Sequence, residues 1–377
     1  MNLDELLRAA VESRASDLHL KVGNLPHVRA DGELAPLSQF PRLTSDDIQS
    51  LATALMSDVQ REKFQQSNEI DLAYGAAGLG RFRVNLFRQR GSVAIALRLI
   101  PNVIRSLDEL NLPKIVETLA DARRGLVLAT GVTGSGKSTT LATMIDHINS
   151  MRPAHIITIE DPIEFLHRDK MAFVDQREVE VDTDSFKSAL RAALRQDPDV
   201  ILLGEMRDAE TIQTALVAAE TGHVVFSTLH TLDATETVQR IIAAFPPHDQ
   251  QQIRLQLAST LKGVIAQRLM RRGDGEGRVP AVEVLVMTDY IRDCIVTPEK
   301  THLISQAIAA GASQYGMQSF DQSLYSLAER GLITWADALT QASTPGDFKL
   351  RMEGIASVPG STGEVAPAGG KVERFGA

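Results

Sequence analysis

The stretch that most constrains this chain is residues 125–149, GLVLAT followed by GVTGSGKST and TLATMIDHIN. A short apolar run of strand type enters a glycine-rich turn, and the turn opens a segment with helical periodicity. In that context Gly131-x4-Gly136-Lys137-Ser138 predicts a phosphate-binding loop. Gly134 and Gly136 permit backbone conformations closed to residues with a Cβ, so successive N–H groups can converge on an anion at a helix N-terminus. Lys137 supplies a compact positive charge for β- and γ-phosphates, and the Ser138 hydroxyl a hard oxygen for Mg²⁺. The expected contact set is Gly131, Thr133, Gly134, Ser135, Gly136, Lys137, Ser138 and Thr139, with ATP and Mg²⁺ as the ligands.

At 377 residues the chain suggests two domains and a tail, and 44% hydrophobic with 23% charged residues is an ordinary globular composition. A net charge of −9 gives no global attraction to nucleic acid or anionic lipid, so no direct nucleic-acid partner is expected. The single cysteine, Cys294, excludes an intrachain disulfide and a cysteine-rich zinc module. The N-terminal residues mix acids and bases without the apolar core of a signal peptide, and no apolar run reaches the ~18 residues of a membrane span. The expectation is a cytoplasmic protein that meets a membrane only through a partner.

Residues 1–100 read as a small α+β domain. Leu3, Leu6, Leu7, Ala10 and Val11 recur at helical spacing, and residues 17–22 alternate like a strand. Asp31-Gly32 marks a turn, a helix is expected over residues 45–60, and residues 81–88 and 93–100 read as two strands. The alternation puts Arg81, Arg83 and Asn85 on one strand face, opposite Phe82, Val84 and Leu86. That row is either a solvated face or a set of cations offered to phosphates. Residues 101–120 read as a linker.

From 121 to 343 strands and helices alternate, the pattern of a mostly parallel sheet covered on both faces. Apolar strands over 155–159, 199–203 and 223–227 end in Glu160-Asp161-Pro162-Ile163-Glu164, Gly204-Glu205-Met206-Arg207-Asp208 and Thr228-Leu229-His230. Open α/β sheets bind ligands just past these strand ends. One long helix is expected over 249–270 and a strand over 279–286. Beyond Ser343 the scattered Pro, Gly and Ser predict a disordered tail over 344–377.

Phosphate chemistry needs acids that hold a metal's water shell and orient an attacking water. Glu205, ending an apolar strand, is the metal-side candidate, and Glu164 the water-orienting base. His230 lies where a neutral imidazole can report the γ-phosphate; His223, opening its strand, reads equally as a histidine satisfied by a backbone carbonyl. The histidines form no metal-ligand cluster.

With these motifs assembled, the chain resembles the type II/IV secretion-type hexameric ATPases, most closely their pilus-retraction branch. Ala15-Ser16-Asp17-Leu18-His19-Leu20, Arg81-Phe82-Arg83-Val84-Asn85, the phosphate loop, the acidic box from Ile159 to Glu164, Leu203 to Asp208, and the histidine box through His230 carry the likeness. It implies a PAS-like N-terminal domain joined to a RecA-like P-loop motor domain, six copies forming a ring. It also implies that Lys137, Ser138 and Thr139 grip phosphate and Mg²⁺, that Glu164 polarises water, Glu205 supports the metal through water and His230 senses the γ-phosphate. Arg81, Arg83 and Arg98 become candidate arginine fingers.

The implied function is a motor that hydrolyses ATP to power type IV pilus retraction and twitching motility. A PilC-like inner-membrane pilus platform protein is the implied partner, at the inner face of the cytoplasmic membrane. The sequence lacks the longer N-terminal region and four-cysteine module of extension ATPases. It departs from the retraction pattern at Tyr290-Ile291-Arg292-Asp293-Cys294-Ile295, where that branch carries an Ala-Ile-Arg-Asn-Leu-Ile-like segment. A related secretion, DNA-uptake, pilus-assembly or accessory ATPase therefore stays open as an alternative, and a P-loop small-molecule kinase as a more distant one.

Overall fold

The computed structural model describes residues 1–30, 33–100, 103–275 and 277–354. The expected turn at Asp31-Gly32, the first two residues of the expected linker and the tail beyond 354 lie outside the described residues.

The N-terminal part runs α1 (Leu3–Glu12), β1 (Asp17–Lys21), β2 (His27–Ala30), β3 (Glu33–Pro36), α2 (Ser45–Leu55), α3 (Asp58–Ser67), β4 (Glu69–Ala76), β5 (Gly80–Gln89) and β6 (Ser92–Ile100). Where one helix was expected over 45–60, two form. α2 stops at Leu55, and Ser57 with Gln60 makes a fresh capping box that starts α3. The strands order as β3-β2-β1-β6-β5-β4 in an antiparallel sheet. Leu6, Leu7, Leu51, Phe82, Val84 and Leu86 close its helix-covered face. The other face carries Arg81, Arg83 and Asn85, with Arg98 of β6 directly across from Arg83.

The second part begins earlier than the expected linker allows. α4 (Ile115–Ala120) buries Val116 and Ala120 in the core of the second sheet. It continues with β7 (Gly125–Thr130), α5 (Lys137–Met151), β8 (His155–Glu160), β9 (Phe173–Glu178), α6 (Phe186–Ala193), β10 (Val200–Leu203), α7 (Ala209–Glu220), β11 (Val224–Leu229), α8 (Ala234–Ala243) and α9 (Gln250–Thr260). β12 (Leu261–Arg271), β13 (Arg278–Val286), α10 (Asp289–Val296), α11 (Ile304–Ala310), α12 (Ala312–Tyr315), α13 (Phe320–Glu329), α14 (Trp335–Gln341) and α15 (Pro345–Met352) complete it.

The sheet order is β13-β12-β7-β11-β10-β8-β9, parallel except for the antiparallel β12–β13 pair. β7, β10 and β11 are buried along their whole length, as strands covered on both faces must be.

Two expectations fail here. The helix read over 249–270 ends at Thr260, and the chain turns into β12 between β7 and β13. A strand buried on both faces has no alternation to distinguish it from a buried helix. Gly263 marks the strand, since a Cβ there would meet Leu119 at 2.7 Å and the Leu285 carbonyl at 2.8 Å. The tail also starts later than composition suggested: α15 packs Phe348 into the core around Phe320, and Phe348 is 2% exposed. Among the described residues no helix is long and apolar enough to cross a membrane.

Candidate nucleotide site

The loop between β7 and α5 is held open by backbone conformation. Gly131, Gly134 and Gly136 have φ of 138°, 79° and 96°. A Cβ at Gly131 would come within 2.4 Å of the Gln267 carbonyl, so only glycine lets the loop leave β7 beside β12. Gly136 is the left-handed N-cap of α5, and no side chain caps that helix. Its first N–H groups therefore point toward the cavity with their partial positive charge available to an anion.

Lys137 is 7% exposed and its Nζ donates to the carbonyls of Gly131 (2.8 Å) and Val132 (3.0 Å). Burial holds its ammonium below the usual lysine range, and the nearby Glu205 carboxylate pulls it partly back.

A cavity of about 580 Å³ lies in front of this loop. Thr133, Gly134, Gly136, Lys137, Ser138 and Thr139 of the loop line it, together with Glu160, Asp161, Pro162 and Glu164 of the acidic box. Glu205 and His230 line it as well. The structure thus brings Lys137, Glu164, Glu205 and His230 into one space from four separated motifs. Gly131 and Ser135 shape the loop but do not line the cavity.

Glu205 is joined to Arg207, and its Oε2 lies 3.4 Å from His230 Nε2. Thr228 donates to the Gly204 carbonyl at 2.6 Å, tying the ends of β11 and β10 together. Asp208, in the same motif, is spent on capping α7. His223 donates through Nδ1 to the Ala218 carbonyl at 3.0 Å, the satisfied arrangement.

The acidic box is braced from β9. Glu160 is buried and accepts from Thr158 Oγ1 (2.7 Å), Gln176 Nε2 (3.2 Å) and the Glu164 amide (3.4 Å). Burial nevertheless raises its carboxyl above the usual range. Gln176 also donates to the Phe165 carbonyl and accepts from the His167 amide. His167 lines the cavity, and burial pushes its imidazole down to about 4, so it is neutral near pH 7.

The three candidate arginines are not part of this chain's own cavity. Arg81 pairs with Glu178 at 2.9 Å, Arg83 with Asp71 at 3.8 Å and Arg98 with Asp17 at 2.8 Å. Residues that the sequence reading passed over also line the cavity: His167, Phe165 and Phe186, with Leu269 and Arg278 from β12 and β13. Arg278 opens a strand read from Val279 onward, so only the sheet order could have found it.

The sequence profile described as type II/IV secretion system protein matches residues 1–337. The type IV pilus retraction ATPase PilT of Pseudomonas aeruginosa is 43% identical over 348 residues, covering 92% of this chain and 100% of that protein. The type IV pilus ATPase PilU of the same organism is 41% identical, covering 94% of this chain and 92% of that protein. A crystal structure of the pilus retraction motor PilT with bound ADP superposes with a TM-score of 0.85 at 48% identity, over 92% of this chain and 98% of that one. These likenesses confirm the expected architecture of a RecA-like motor domain preceded by a smaller N-terminal domain. The chain belongs to the type II/IV secretion system protein family.

Proposed function

We propose that this chain is a hexameric ATPase motor that powers type IV pilus retraction, and with it twitching motility. One observation carries the chemistry: the Lys137 loop, the acidic box, Glu205 and His230 converge on a single cavity at adjoining strand ends. The likeness to PilT over nearly the whole of both chains carries the biological assignment.

In this reading the α5 N-terminus and Lys137 take the phosphates, Lys137 exchanging its two carbonyl acceptors for phosphate oxygens. Glu164 orients the attacking water and accepts its proton, with Glu160 holding the Glu164 amide. His230, already within reach of Glu205, registers the γ-phosphate by changing partner. Mg²⁺ fits the donor set, because Ser138 and Glu205 offer hard oxygens to the same cavity. In this reading Ser138 would hold the ion directly and Glu205 through water. Bound there, the ion neutralises phosphate charge.

Arg83 and Arg98, side by side on the open face of the N-terminal sheet, are proposed as fingers for another copy's cavity. A six-membered ring supplies that copy. An inner-membrane platform protein of the pilus would receive the motion, placing the ring at the inner face of the cytoplasmic membrane.

Turnover of Mg-ATP by the purified protein tests the assignment. Lys137→Ala is expected to lose about 10³-fold or more, and cells carrying it to keep pili but fail to retract them. Substantial turnover by this variant would overturn the site. A second reading, an accessory ATPase beside another retraction motor, is favoured by the comparable identity to PilU and by the divergent segment on α10. Deleting the gene separates the two: loss of all retraction supports the motor, and residual retraction supports the accessory role.

A further inference from the structure

The edge strand β9 does more than close the motor sheet. Among the described residues it pairs on one side only, with β8, and its last residue, Glu178, sits in register with Glu160. The Glu178 side chain is 7% exposed, and a single oxygen, Oε2, has two donors from different parts of the molecule. One is Arg81 Nη2 of the N-terminal sheet at 2.9 Å, and the other is the backbone amide of Ile163 at 3.3 Å. Ile163 is buried and immediately precedes Glu164. The next amide along, Val179, donates to the Glu160 carbonyl at 2.8 Å. Lys63 of α3 reaches Glu180, in the turn after β9, at 3.7 Å, so the N-terminal part touches this strand end twice.

We propose that Glu178 is a positioning residue for the hydrolysis, linking the placement of the N-terminal domain to the setting of Glu164 through Arg81 and the Ile163 amide. The inference rests on the reading of the cavity as an ATPase site. Arg81 lies on β5, paired on both sides by β4 and β6, so its anchor moves only with the whole sheet. A displacement of that sheet pulls on the oxygen that also holds the acidic loop. A two-donor carboxylate converts such a displacement into a shift of the loop, because losing one donor changes the charge and geometry presented to the other. Arg81 then acts as a tether within its own chain, unlike Arg83 and Arg98, whose ion pairs stay within the N-terminal part.

A double-mutant cycle in the full-length protein decides this. Arg81→Gln, Glu178→Gln, the double variant and Arg81→Lys are assayed for ATP turnover at a temperature where circular dichroism shows each folded. Each Gln variant is expected to lower kcat about tenfold with KM for ATP within about twofold. The double variant should be no worse than the worse single one, and Arg81→Lys should recover most of the loss. Losses that multiply in the double variant would overturn the proposal, as would normal kcat in Glu178→Gln beside a crippled Arg81→Gln. Changes confined to KM would make the pair merely structural and overturn it equally. If Glu178→Gln does not fold, Arg81→Lys no better than Arg81→Gln is the overturning result. An inactive wild-type protein would instead defeat the ATPase reading itself.

Discussion

In the N-terminal sheet the polar side chains lie on a face, whereas in the motor sheet they lie at strand ends, and the cause is how each sheet is covered. β5 buries Phe82, Val84 and Leu86 against helices and turns Arg81, Arg83 and Asn85 the other way. An antiparallel sheet with one open face has that freedom. β7, β10 and β11 are buried throughout, so their only exposed chemistry is where each strand stops: at the phosphate loop, at Glu205 and at His230. A face can make contacts with a neighbouring surface, while converging strand ends make an enclosed reaction space. The comparison predicts that substitutions at strand ends remove chemistry and leave folding intact, and that core substitutions act first on stability and reach the cavity only through the strands they loosen.

The largest effect belongs to the strand-end acids. Glu164→Gln is expected to reduce kcat by about 10²- to 10⁴-fold, the usual range for removing a general base, with thermal stability close to wild type. Calorimetry beside turnover checks both halves, and a large drop in melting temperature would mean that Glu164 is structural. Next come the cores. Phe226 lies between Val127 and Leu202 in the motor sheet and is fully buried; Phe82 is its counterpart in the N-terminal sheet. Each Phe→Ala change should cost about 3–5 kcal/mol. Phe226→Ala should weaken ADP binding because it loosens β7, and Phe82→Ala should leave ADP affinity unchanged. Equal loss of affinity in both would merge the two regions into one unit.

A smaller effect distinguishes the regions by pH. Glu283 on β13 is 8% exposed and accepts only the Ala234 amide among the bonds described, at 2.9 Å. Burial raises its carboxyl to about 7. The folded chain therefore binds more protons than the unfolded one between the ordinary carboxyl range and about pH 7. The stabilising contribution is complete at the acid end of that window and is lost as pH rises through 7, by about 3 kcal/mol. Glu283→Gln should flatten that decline. In the N-terminal part Asp47 has the opposite sign: hydrogen bonds from Thr44 lower it to about 2, so its contribution is lost only as pH falls from the ordinary carboxyl range through that value. Melting curves of the two variants Glu283→Gln and Asp47→Asn across pH 2 to 8 should both part from wild type toward neutral pH but with opposite signs, Glu283→Gln above it and Asp47→Asn below it, and both differences should close toward the acid end.

Much of the motor was legible before folding because phosphate chemistry demands fixed residue types at fixed spacing. Lys137, Glu164, Glu205 and His230 each follow an apolar strand, and that position alone placed them on one sheet edge. What stayed hidden depends on sheet order. β12 inserts beside β7 from far along the sequence, and its even hydrophobicity looked like the end of α9. Leu269, Arg278 and His167 reach the cavity only through that order or through a loop whose path is set by Gln176. The break between α2 and α3 was written in Ser57-x-x-Gln60, a capping box inside an otherwise continuous helical pattern. The arginine row was read on its correct face, yet whom it faces is a property of pairing, and Arg81 found Glu178 far along the chain.

The smallest effect on folding, and the sharpest use of the comparison, concerns the open face itself. Arg83 and Arg98 are about half-exposed or more and the Arg83–Asp71 pair is solvent-screened, while Asp17, 13% exposed, keeps the Ser16 hydroxyl as a donor when Arg98 is removed. Replacing both by alanine should change stability by less than about 1 kcal/mol. Their proposed role is to meet a different copy's cavity, so the loss should appear in turnover by the assembled ring. Copies carrying Arg83→Ala and Arg98→Ala keep an intact cavity, and copies carrying Lys137→Ala keep an intact face. Mixing the two inactive proteins should restore partial turnover, because some neighbours in a mixed ring pair one good cavity with one good face. Failure of the mixture, with mixed rings shown to form, would return the arginine row to a solvated surface and leave the motor's strand ends as the sole source of its catalysis.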